Sequence, residues 1–114
     1  MFGRYKFEVI YTGNALKTMV LGSRDTVLSF GVVGVDGIVV TTPDEMAREL
    51  DKSISSGNYS VIMVEEGIAL SIEEKINEYR RKKGMIIVEV PSRFTMYKEK
   101  DFQEFLKKVL GVRI

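Results

Sequence analysis

Between Thr18 and Gly37 two short apolar runs flank a glycine and a polar turn, and no other stretch limits the possible folds as tightly. Met19-Val20-Leu21 meets Gly22 and then Ser23-Arg24-Asp25, after which Val27, Phe30 and Val33 recur at helical spacing. Gly34 is placed to stop that helix, and Gly37 opens a new apolar run, Ile38-Val39-Val40. A buried strand, a tight turn, a short helix, a glycine stop and a second strand form the opening of an α/β domain. The first strand is predicted over 16–21 and the second over 37–41.

The pattern continues along the chain. Thr42-Pro43-Asp44-Glu45 supplies a hydroxyl at the N-cap, proline at the first helical position and glutamate three residues after the cap. Such a capping box contributes about 1–2 kcal/mol of local stability. Met46, Leu50 and Ile54 then repeat every four residues, with Arg48, Glu49, Asp51 and Lys52 predicted to face water and Ser55-Ser56-Gly57-Asn58 to end the helix. Tyr59 to Val64 is almost wholly apolar, as a central parallel strand covered on both faces requires. Glu65-Glu66-Gly67 leads to a third helix, for which Ser71-Ile72-Glu73-Glu74 reads as the capping box and Ile72, Ile76 and Tyr79 as the inner face. Arg80, Arg81, Lys82 and Lys83 fall in its last turn, where positive charge complements the helix dipole, and Gly84 ends it. A fourth strand, Met85 to Val90, is stopped by Pro91. Strands joined through helices of this length need parallel crossovers, and right-handed crossovers give an open sheet with helices on both faces.

Two pieces lie outside that alternation. Tyr5 to Tyr11 alternates as an extra N-terminal strand or hairpin would, with Thr12-Gly13-Asn14 turning the chain back. After a polar stretch from Ser92 to Lys100, Asp101 opens a C-terminal amphipathic helix with Phe102, Phe105, Leu106 and Val109 on one stripe. That stripe has two possible resting places, the domain's own sheet or a partner protein.

Composition removes whole classes of function. The chain of 114 residues is long enough for one domain with a core and carries a formal charge of +1, which argues for neither nucleic acid nor an anionic membrane as partner. It contains no Cys and no His, so disulfides, thiol nucleophiles, Cys-ligated zinc and Ser-His-Asp catalysis are excluded. No run approaches the roughly 18 apolar residues of a membrane span, so a cytoplasmic location is expected, with docking onto a membrane-bound machine left open.

The segment Gly22-Ser-Arg-Asp-Thr-Val-Leu-Ser-Phe30, followed by Val33-Gly34-Val35, resembles the opening of the F subunit of the V/A-type rotary ATPases. Thr41-Thr-Pro-Asp-Glu45, Glu74-Lys-Ile-Asn-Glu-Tyr-Arg-Arg81 and Glu89-Val-Pro-Ser-Arg93 are similar too. The resemblance covers about Leu16 to Ile114 and implies a flavodoxin- or receiver-like order of the four core strands, 2-1-3-4. It divides the chain into an N-terminal extension (1–15), a receiver-like α/β domain (16–91) and a linker with C-terminal helix (92–114).

A receiver-like fold raises the question of phosphorelay chemistry, which needs an aspartate at the end of the third core strand and an acidic pair after the first. Here those positions read Val64-Glu65-Glu66 and Leu21-Gly22-Ser23, with Asp25 the one nearby acid. Gly31-x-x-Gly34-x-x-Gly37 lacks the dinucleotide spacing and follows a helix, and there is no phosphate-binding Gly-x-x-x-x-Gly-Lys pattern. Adjacent acids such as Glu73 and Glu74 diverge by about 100° on a helix and form no catalytic pair by spacing. No catalytic, cofactor-binding or metal-binding residue is therefore assigned.

What the resemblance implies is a non-catalytic central-stalk component that binds the coiled-coil D subunit of the stalk and modulates rotary ATP synthesis or hydrolysis coupled to ion transport. Its C-terminal helix would reach toward the catalytic A/B head. The expected contact residues are Ser23, Arg24, Pro91, Ser92 and Arg93 at the carboxyl ends of the strands, with the stripe Phe102, Phe105, Leu106 and Val109. The rival reading is a receiver-like signalling module without phosphoacceptor chemistry, and a small ligand-binding flavodoxin-like domain comes third.

Overall fold

The computed structural model describes residues 4–5, as backbone, and 17–92. The elements run β1 (Arg4–Tyr5), β2 (Thr18–Gly22), α1 (Arg24–Gly31), β3 (Asp36–Val39), α2 (Pro43–Ser56), β4 (Val61–Glu65), α3 (Glu66–Ala69), a 3-10 turn (Leu70–Ile72), α4 (Glu73–Lys82) and β5 (Ile86–Val90). The sheet order is β1-β3-β2-β4-β5. Its four parallel strands thus stand in the order 2-1-3-4 of the doubly wound α/β folds, with β1 added antiparallel on the β3 edge. The rest of the N-terminal extension and the C-terminal helix expected from the sequence lie outside the described residues.

Pleating sorts the side chains onto two faces. Val20, Val39, Met63 and Val90 pack with Val27 and Phe30 of α1 on one side. Met19, Leu21, Ile38, Ile62, Val64 and Ile87 pack with Met46 and Leu50 of α2, Ala69 of α3 and Ile76 of α4 on the other. Each side chain buried in this way contributes about 1.5–3 kcal/mol against exposure, so the apolar spacing read from the sequence is what holds the layers together.

The start of α2 forms as its sequence requires. Thr42 is extended (φ −125°, ψ 156°), its Oγ1 accepts the Glu45 N–H at 3.1 Å, and Pro43 takes the first helical position. The glutamate does not reach back to the backbone as in a full capping box: its Oε1 accepts the hydroxyls of Thr41 (2.8 Å) and Thr42 (3.1 Å). These bonds, that of Thr41 foremost, hold the Glu45 carboxyl below its ordinary value. Gly57 ends the helix in the left-handed region (φ 68°), where a side chain would be strained.

Several expectations need correction. Glu49 does not face water but is 5% exposed, because Met46, Glu49, Leu50 and Ser53 together form the inner stripe at helical spacing. A period of four alone passes over the residue three along; its carboxylate reaches the rim, 3.6 Å from Lys52. Ser71 caps nothing. The chain turns helical at Glu66, straight after β4, and Ser71 falls inside the 3-10 turn, whereas a capping side chain needs an extended backbone. The strand bounds also differ from those expected: β3 starts one residue earlier and ends two earlier, and the other core strands start one or two residues later; Tyr59 precedes β4, and its hydroxyl donates to Asp36 at 3.2 Å. Arg80 does more than face the helix dipole: Nε and Nη2 donate to the Ile87 carbonyl of β5 at 3.1 and 2.6 Å, occupying a polar group of that strand.

Candidate functional site

Parallel pairing brings the carboxyl ends of β2, β4 and β5 together. Leu21 is in register with Val64 and Glu65 with Val90, so Gly22, Glu65 and the chain leaving β5 meet at one end of the sheet. Glu65 shares a pleat face with Met63, the α1 side, and its side chain lies beneath the turn that enters α1.

There the carboxylate ties three segments. Oε1 accepts the Ser23 N–H at 3.0 Å and the Ser23 hydroxyl at 2.8 Å. Oε2 accepts the Ser92 hydroxyl at 3.1 Å, and Ser92 Oγ in turn accepts the Gly67 N–H at 3.2 Å. Glu65 is 5% and Ser92 7% exposed. Buried polar groups are costly unless bonded, and here both carboxylate oxygens are engaged.

The chain is shaped around this bridge. A Cβ on Gly22 would stand 2.9 Å from Glu65 Oε1, and one on Gly67 would stand 2.7 Å from Ser92 Oγ, both closer than real contacts allow. Neither glycine has the positive φ that would otherwise explain it. A side chain at either position would displace the atoms that form the bridge.

Of the contact residues expected from the sequence, Ser23 and Ser92 are brought together on one carboxylate. Ser23 holds the N-cap position of α1 (φ −62°, ψ 164°), but its hydroxyl makes no bond to the helix backbone and turns to Glu65. Arg24 is exposed as the first residue of α1, and Pro91 is half-buried between Val90 and Ser92. Arg93, Phe102, Phe105, Leu106 and Val109 lie outside the described residues. Sequence reasoning missed Glu65 as the organiser of this end. The signal for it was an acidic residue closing the otherwise apolar strand Val61-Ile62-Met63-Val64, with Gly22 closing the neighbouring one.

At the position where a phosphoacceptor domain carries its aspartate, this chain has a carboxylate turned inward onto two serines. Among the described residues no group of three or more acidic side chains could hold a metal ion.

Comparison with known proteins identifies the family of the chain. The family model for the ATP synthase (F/14-kDa) subunit matches residues 18–109. The chain is 37% identical over 76 residues to the F subunit of the V-type ATP synthase of Clostridium perfringens, covering 67% of this chain and 71% of that protein. It is 35% identical over 99 residues to the F subunit of the A-type ATP synthase of Methanothermobacter thermautotrophicus, covering 83% and 92%. With the corresponding A-type protein of Methanocaldococcus jannaschii the identity is 27% over 99 residues, covering 85% and 97%.

Proposed function

The chain belongs to the family of the ATP synthase (F/14-kDa) subunit, the F subunit of V-type and A-type ATP synthases, and from that premise we propose that it works by binding and performs no chemistry of its own. As a member of an ATP synthase complex, it clasps the coiled-coil D subunit of the central stalk and turns with it. It modulates the synthesis or hydrolysis of ATP at the catalytic A/B head, and so the coupling to ion transport. Its place is at the cytoplasmic side, peripheral to the membrane. No helix among the described residues is long and apolar enough to cross a bilayer.

One observation carries the step from complex membership to a binding role. The acidic side chain at the strand end where related folds do chemistry is used inwardly, both oxygens holding chain segments in place. What this end of the sheet offers a partner is a fixed surface around Ser23, Arg24 and Pro91, continuous in sequence with Arg93 and the stripe Phe102, Phe105, Leu106 and Val109.

Mixing the full chain with the stalk's D subunit tests this directly by size exclusion and calorimetry. A one-to-one complex is expected, weakened when the chain is truncated after Arg93. Absence of a complex at micromolar concentrations would overturn the stalk role and favour a receiver-like signalling module.

A further inference from the structure

The geometry points to Glu65 as a positioning residue for partner binding: from beneath the surface it sets the turn into α1 against the exit from β5, so that the stalk meets a preformed site. This rests on the stalk-binding reading and adds to it a buried residue that the partner does not touch. Three observations support it. The two serines that Glu65 joins belong to the two segments that carry the candidate contact residues, one beside Arg24 and the other beside Pro91. Those segments lie at opposite ends of the α/β domain in sequence, yet a single carboxylate bonds to both. Gly22 and Gly67 leave space for this bridge and have no backbone need to be glycine.

The consequence for binding follows from population. With the bridge cut, the two segments move independently and occupy the binding geometry for only part of the time. If that fraction falls to about a tenth on substitution of Glu65, the apparent Kd rises about tenfold although no candidate contact residue has changed.

The bridge makes different demands on different substitutions. Glu65→Asp keeps a carboxylate but withdraws it by about 1.5 Å, one carbon–carbon bond, out of reach of hydroxyls now at 2.8 and 3.1 Å. Glu65→Gln keeps the length: its carbonyl still accepts from Ser23, and its amide donates to the Ser92 Oγ lone pair not taken by the Gly67 N–H, so both legs stay tied although the Ser92 hydroxyl proton loses its acceptor. Ser92→Ala removes one leg and leaves Glu65 intact.

The test is calorimetric titration of the full-length chain and these three variants with the stalk's D subunit. Ile76→Val, in the core on the opposite face, serves as a control that lowers stability without touching the bridge. Glu65→Asp and Ser92→Ala are expected to weaken binding, Glu65→Asp by about tenfold, while Glu65→Gln and Ile76→Val stay within about threefold of the parent. Parent-like binding by Glu65→Asp and Ser92→Ala, both folded, would overturn the proposal. Ser92→Ala keeps it falsifiable if Glu65→Asp does not fold.

Amide spectra of the isolated chain separate this proposal from the stalk-binding reading. If the parent fails to bind the coiled coil, the stalk reading falls. The Ser23 amide still decides the bridge: a shift on Ser92→Ala and none on Ile76→Val supports a tie through Glu65, and an unmoved Ser23 amide overturns it.

Discussion

Two glutamates in this protein each gather a pair of hydroxyls, and they do so with opposite consequences. Glu45 takes those of Thr41 and Thr42, four and three residues before it, at the rim of the molecule. Glu65 takes those of Ser23 and Ser92, 42 and 27 residues away, beneath the surface. The chemistry is the same, a carboxylate accepting short O–H bonds. Sequence separation and burial make the difference. The first pair closes a local turn that water would solvate nearly as well, and the second closes a tertiary junction whose carboxylate and Ser92 leg are buried.

Substitution sharpens the contrast, and the largest effect is expected at Glu65. Glu65→Ala strands three donors and opens a void, and should lower the unfolding free energy by about 3 kcal/mol in urea titrations. Removing one leg with Ser92→Ala should cost about 1–2 kcal/mol in the same measurement. On the local side, Thr42→Ala removes the bond to the Glu45 N–H and should cost about 1 kcal/mol, with loss of protection confined to the first turn of α2 by hydrogen exchange. Equal costs at Glu65 and Thr42 would break the comparison.

The smallest effect concerns pH. The Thr41 hydroxyl, with smaller help from Thr42, holds the Glu45 carboxyl below its ordinary value of 4.5. A carboxyl lowered on folding stabilises the folded state above its unfolded value, and that stabilisation is lost as pH falls through the folded one. Thr41→Ala should therefore move the Glu45 titration, followed by carbon NMR at its carboxyl, back up toward 4.5 and flatten the acid limb of stability. An unshifted titration would show that the Thr41 bond is not formed in solution.

The same contrast explains what could be read from the chain. The Thr42 cap was legible because donor and acceptor sit at a fixed short spacing beside a proline. The inner stripe of α2 was legible at Met46 and Leu50 but not at Glu49, whose charge hid a position that spacing alone would assign to the core. Ser71 shows the reverse failure, a motif with the right letters on a backbone already turning. Strand order followed from family resemblance and parallel crossovers, since no local pattern encodes which strand lies beside which. The Glu65 bridge was out of reach for the same reason: nothing near Glu65 in sequence names Ser23 or Ser92, and only the register of three strands brings them together.

A double-mutant cycle on Ser23→Ala and Ser92→Ala, read by urea unfolding, tests that tertiary junction most directly. Two residues holding opposite ends of one carboxylate should depart from additivity by about 0.5–3 kcal/mol, since freeing one oxygen loosens the other. Additivity within about 0.3 kcal/mol would mean that the serines act separately and that Glu65 joins nothing.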